Sequence, residues 1–188
     1  MKKSLFILCA LLLILAPLTT MAKGETEIPE VTVEGLVLVP GTKDIAYVWA
    51  EKGVDLSQYK RVYLAEPYVA FKKNWQRDYN RNSASLSSNV TTSDMERIKT
   101  GVRELFMEVF TEELTAGGYT LATERADDVL IVKPSIINLD VIAPDIRSAS
   151  RNTSFASSAG SMTLCMELYD SVTDELLAKP LDPIRDRD

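Results

Sequence analysis

The residues best suited to recognise a ligand lie between Tyr68 and Arg81. Four rings (Tyr68, Phe71, Trp75 and Tyr79) interleave there with four cations (Lys72, Lys73, Arg77 and Arg81). With Asp78 subtracted, Lys72–Arg81 carries +3 in a chain whose formal charge is −6. Ring faces beside cations suit a sugar polymer, an anionic lipid surface or a protein partner. The same pattern also fits rings packed on a sheet edge with their neighbouring charges in water.

Other chemistries find little support. There is no histidine, so His-based triads and His metal sites are excluded. The two cysteines are Cys9 and Cys165, too few for a Cys-rich zinc site. No GxxxxGK or GxGxxG loop is present to cradle a nucleotide phosphate. Neither a metal nor a cofactor is expected. Carboxylates remain. Glu104, Glu108 and Glu112 form an i, i+4 ladder, readable as a cation site or as a solvated acidic face. Asp127-Asp128 and Asp140 can be read as the acid and base of a glycosidase, or as a turn plus one exposed Asp. A serine within Ser148–Ser161 with Lys133 as its base lacks any supporting motif.

The N-terminus places this chemistry in a compartment. Lys2-Lys3 precede an unbroken apolar run from Leu5 to Ala16. Pro17 breaks the run, and Thr20-Met21-Ala22 supplies small residues for cleavage. Residues 1–22 therefore read as a secretory signal peptide, because the apolar run of twelve is too short for the ~20 apolar residues of a membrane span. The expected location is the periplasm or the outer cell envelope. Cys9 lies within the apolar run without the small residues a lipid-modified cysteine needs before it, which argues against a lipid anchor. Removing Lys2 and Lys3 leaves 19 basic against 27 acidic residues, a charge of −8. That balance argues against nucleic-acid binding. Cys165 is then a lone thiol, expected to be sheltered.

The elements that must position these residues follow from period and punctuation. Ser93–Gly118 reads as the main helix. Ser93 with Glu96 suggests a capping box, and Met95, Ile98, Val102, Leu105, Phe106, Val109, Phe110 and Leu114 recur at steps of three and four. Gly117-Gly118 closes it. On this reading Leu105→Asp unfolds the domain. Arg61–Ala65 reads as a strand that can run on to Phe71, Lys72–Thr92 as a long polar loop, and Asp128–Val132 as a buried strand interrupted by Pro134. Ser135–Ile142 alternates, with Ile137, Leu139 and Val141 on one face. Ser161–Tyr169 alternates too, with Met162, Leu164, Met166 and Leu168 on one face, and it returns through Glu175–Ala178 as a hairpin. The fold class is α+β: a mixed, mainly antiparallel sheet with one long amphipathic helix packed on one face, built from a βαβ crossover followed by a β-meander. Residues 23–34 are expected to be a flexible tether, 35–179 a single domain and 180–188 a disordered tail.

The stretches GVDLSQYKRVYLAEP, GGYTLATERADDVLIVKPSIINL and MTLCMELYDSVTDELLA, with the helix between the first two, resemble the bacterial family catalogued as domain of unknown function 3313. The resemblance runs from about Gly35 to Ala178. It implies an exported envelope protein, often a lipoprotein, and brings no catalytic residues with it. The chain ends at Asp188, where relatives tend to continue into a C-terminal helix, so an open sheet edge that supports oligomerisation is expected. The resulting reading is a non-enzymatic protein of the periplasm or outer envelope. Its partner would be an envelope protein, a polysaccharide or a membrane surface. The alternative is a carboxylate-dependent hydrolase acting on envelope polymers. If the Tyr68–Arg81 cluster binds, Trp75→Ala with Lys72→Glu weakens attachment to envelope material without lowering the melting temperature.

Overall fold

The computed structural model describes residues 28–82, 89–142 and 159–185. The strands are β1 (Val37–Leu38), β2 (Tyr47–Ala50), β3 (Arg61–Leu64), β4 (Tyr68–Phe71), β5 (Thr120–Leu121), β6 (Val129–Val141), β7 (Ala159–Asp170) and β8 (Leu176–Arg185). The helices are α1 (Trp75–Asn82) and α2 (Thr92–Ala116). One open sheet runs in the order β1-β2-β8-β7-β6-β3-β5, and β4 also pairs with β6. The class is α+β, with a mixed, mostly antiparallel sheet and one long helix.

β3 and β6 are parallel, as expected of two strands joined by a crossover through α2. β3 and β4 lie end to end against the same edge of β6. β3 takes Val129–Val132 and β4 takes Ser135–Leu139. The break between them is Ala65-Glu66-Pro67. Pro134, expected to interrupt β6, leaves it continuous. Val132 turns its carbonyl to the β3 side, where it accepts from the Ala65 N–H at 2.9 Å. By alternation, the N–H that Pro134 lacks would face the break, where no strand needs it.

Asn138 corrects the predicted face of β6. Its φ is 54°, and the register with β7 shifts between Ile137 and Asp140. The extra residue of this bulge exchanges the two faces. Leu139 and Val141 therefore join Ile136 in the core, and Ile137 lies on the opposite face.

The main core cluster is Val69, Trp75, Val90, Ile98, Ile136, Leu139 and Val141, with Met95, Val102, Phe106, Met162 and Leu164 packed on it. α2 begins two residues earlier than its Ser-x-x-Glu pattern suggests. Thr91 is the N-cap: its hydroxyl accepts from the Asp94 N–H, and the Asp94 carboxylate accepts from the Thr91 N–H. At the other end Gly118 (φ 85°) allows Tyr119 N–H to reach Leu114 O and Gly118 N–H to reach Thr115 O, the two bonds of a Schellman motif. The predicted apolar stripe is present, but Leu105 and Val109 within it stay exposed while Phe106, Phe110 and Leu114 are half-buried. Ile98 is 1% exposed, against 38% for Leu105 and 47% for Val109. The expectation that Leu105→Asp unfolds the domain does not survive this.

Three boundaries also move. Lys72–Thr92 is not wholly a loop, because α1 lies within it. The tail from residue 180 is not disordered as far as Arg185: β8 continues between β2 and β7, with Pro180 opposite Val48 and Pro183 opposite Thr163. Pro183 is tolerated because β2 reaches only to Leu181, so its β2 side is a free edge. Part of the expected tether is docked. Trp49 Nε1 donates to Pro29 O at 2.8 Å, Val31 bridges to Val37, and Glu34 meets Lys179 at 2.8 Å. Residues 1–27, 83–88, 143–158 and 186–188 lie outside the described residues, and with them the signal peptide, the start of the expected tether and most of the serine-rich segment. Among the described residues no helix is long and apolar enough to cross a membrane.

Candidate functional site

The Tyr68–Arg81 cluster is sorted by the fold rather than gathered. Three of its rings stand in a row: Trp75 stacks on Tyr79 (centroids 5.4 Å apart) one turn on in α1, and Phe71 at the end of β4 stacks on Trp75 (4.4 Å). Asn74, at φ 62°, turns the chain from β4 into α1. Trp75 is only 5% exposed, and its Nε1 donates to Val141 O at 3.3 Å. It is a core residue, so Trp75→Ala would leave a large cavity and lower the melting temperature, contrary to expectation. Tyr68 stands apart. It is 63% exposed, and as the neighbour of buried Val69 it points to the other face of the sheet.

The cations are exposed. Lys72 Nζ lies 2.9 Å from the Asp140 carboxylate. Arg77 and Arg81 both approach Asp78, at 3.0 and 3.9 Å. Lys73 has no acidic partner among the described residues.

Between α1 and the end of β6 a cleft of about 430 Å³ opens. It is lined by Lys72, Lys73, Trp75, Asp78, Tyr79 and Asn82 on one side and by Asp140, Val141 and Ile142 on the other. Phe71, Arg77, Arg81 and Tyr68 are not among its lining residues. Gly160 on β7 makes room for Ile142, because a Cβ there would fall 2.5 Å from Ile142 Cγ1. Asn82, Val141 and Ile142 are not singled out as site residues by the sequence; the four-residue step from Trp75 to Tyr79 is a local signal for a helix that would carry Asn82 on its next turn. α1 is also clamped to the start of α2. Asn80 both donates to Val90 O (2.9 Å) and accepts from Val90 N–H (2.8 Å), and Gln76 donates to the same carbonyl at 3.0 Å.

The other constellations come apart. Asp128 and Asp140 lie twelve residues apart along one strand, about 40 Å at ~3.3 Å per residue, and cannot share a substrate bond. Asp128 is held by a two-pronged contact from Arg61, whose hydrogen bonds keep its carboxyl below the usual range. Lys133 sits over the Tyr169 ring at 4.1 Å. The Cys165 thiol is half-buried on β7, and burial pushes its pKa up. Glu104, Glu108 and Glu112 are exposed, and among the described residues no group of His, Cys, Asp and Glu is arranged to hold a metal ion.

Taken together, the chain is an open-sheet α+β protein with one long crossover helix and a lateral cleft of mixed charge. A family model matches residues 37–183, and the chain belongs to that family, described as protein of unknown function (DUF3313). No curated protein and no solved structure matches the chain.

Proposed function

We propose that this is an exported, non-enzymatic binding protein of the cell envelope, and that the α1 cleft holds a segment of an envelope glycan. The observation that carries the reading is the meeting in one cleft of an ammonium without an acidic partner among the described residues (Lys73), an amide (Asn82) and a ring (Tyr79). Sugars offer hydroxyls that donate and accept, and apolar C–H faces. Asp78 and Asp140 supply acceptors, Lys73 and Asn82 supply donors, and Tyr79 supplies the flat surface. The volume is within the usual range for a small-molecule site. The apolar run at Leu5–Ala16, flanked by Lys2-Lys3 and Thr20-Met21-Ala22, supports export.

Lys73→Glu combined with Asn82→Ala tests this, since both side chains are exposed. Co-sedimentation with purified envelope glycan should weaken by about tenfold, as expected for ~1.4 kcal/mol of lost contacts, with the melting temperature unchanged. Equal co-sedimentation would overturn the reading. One observation favours the hydrolase alternative: Asp78 and Asp140 line the same cleft. Each is engaged by its own cations rather than facing a partner carboxyl. Release of new reducing ends from the glycan would move the assignment to that alternative.

A further inference from the structure

α2 is apolar over more of its length than the sheet covers. At 100° per residue, Leu105 and Val109 point within about 20° of the direction of Ile98. Ile98 is buried and they are not. A helix about 10 Å across covers roughly two strands spaced ~4.8 Å apart. α2 packs against β4 and β5 at one margin of the sheet. Met162 and Leu164 of β7 reach the core beneath it. Alternation places Met166 and Leu168 on the same face, where they remain half-exposed.

This uncovered strip has an acidic rim. Glu112 lies about 20° and Glu108 about 60° from Leu105 around the helix, with Glu104 beyond them. None of the three has an ionic or hydrogen-bonding partner among the described residues. The last turn of α2 contains no basic residue, so these carboxylates also stand toward the negative end of the helix dipole.

We propose that the Leu105–Val109 strip and its glutamate rim dock a cationic amphipathic helix from another protein, laid alongside α2 to extend the helical layer. The apolar strip needs an apolar face, and the rim needs Lys or Arg beside it, which together define a helix-in-groove contact. A second copy of this chain does not fit. No cation follows Arg103 in α2, so two such strips would bring glutamates against glutamates. The strip lies about 20–27 Å along α2 from its N-cap, beyond the end next to α1, so this site is separate from the glycan cleft.

The probe is a fluorescent Lys/Leu amphipathic peptide of about five helical turns, with its Glu/Leu counterpart as control. The protein should bind the first and not the second. Val109→Ser should weaken binding about tenfold, chiefly through faster dissociation. Glu108→Gln with Glu112→Gln should slow association and flatten its salt dependence. Both variants should melt as the parent does. Glu51→Gln with Glu124→Gln removes two exposed carboxylates elsewhere and should change neither rate. The proposal fails if the Lys/Leu peptide does not bind, or if the Glu51/Glu124 pair has the same effect as the Glu108/Glu112 pair. It also fails if the protein sediments as a dimer that Val109→Ser dissociates.

Discussion

Asp170 closes the turn between β7 and β8 and accepts from four donors. These are the Val172 and Thr173 N–H groups, the Thr173 hydroxyl and, at 2.7 Å, the Tyr59 hydroxyl. The Thr173 N–H, then the Tyr59 hydroxyl, lower its pKa from 3.8 to about 2. A carboxyl with a depressed folded-state pKa contributes stability above its unfolded value, and the contribution disappears as pH falls through the folded one. Urea unfolding should therefore show the parent more stable than Asp170→Asn at pH 6, with the gap closing between about pH 4 and pH 2. A gap that persists unchanged to pH 2 would mean the hydrogen bonds hold the neutral acid equally well. The turn itself is legible in Asp170–Asp174, because Asp and Thr side chains bond to the backbone two and three residues on. The Tyr59 contact is not, since 111 residues separate the pair. The cleft shows the same division. Aromatic and cationic types at Tyr68–Arg81 are plain in the sequence. Which ring is core (Trp75), which lines a cleft (Tyr79) and which faces away (Tyr68) depends on the strand and helix phases that carry them.

At the scale of elements, α2 shows how one pattern can have two outcomes. Ile98→Asp would place an unpaired carboxylate in the main core and should abolish cooperative unfolding. Leu105→Asp should cost about 1 kcal/mol or less, most of it from repulsion by Glu108, and give a nearly parental melting curve. Equal damage from both would show that the helix is covered along its whole length. The helix is legible because its period is local. Its first residue is not, because Ser93/Glu96 and Thr91/Asp94 both read as capping pairs. Asn80 and Gln76 decide between them by holding Val90, so the chain turns into the helix at once. β6 is similar: its apolar run identifies a strand, and the left-handed Asn138 then exchanges the faces that simple alternation assigns.

For the whole molecule, β8 is the test of how the sheet is assembled. It lies inside the sheet between β2 and β7, so ending the chain after Lys179 strips Pro180–Arg185 from β7. That truncation should lose the cooperative thermal transition, whereas a tail outside the fold would leave it unchanged. Two prolines and alternating charge make this stretch look unstructured, since they speak against a strand in isolation. Ladders with two neighbours, and a free edge at Pro183, override that local preference. The division is general in this chain. The helical period, the strand alternation, the turn chemistry and the absence of histidine are properties of neighbouring residues, so they can be read along the chain. That β3 and β4 share one edge of β6, that β2 lies beside β8, and that Leu105 and Val109 of an apolar stripe stay open are outcomes of packing among residues many tens of positions apart. No local preference encodes them, because each pairing is chosen against all the others at once.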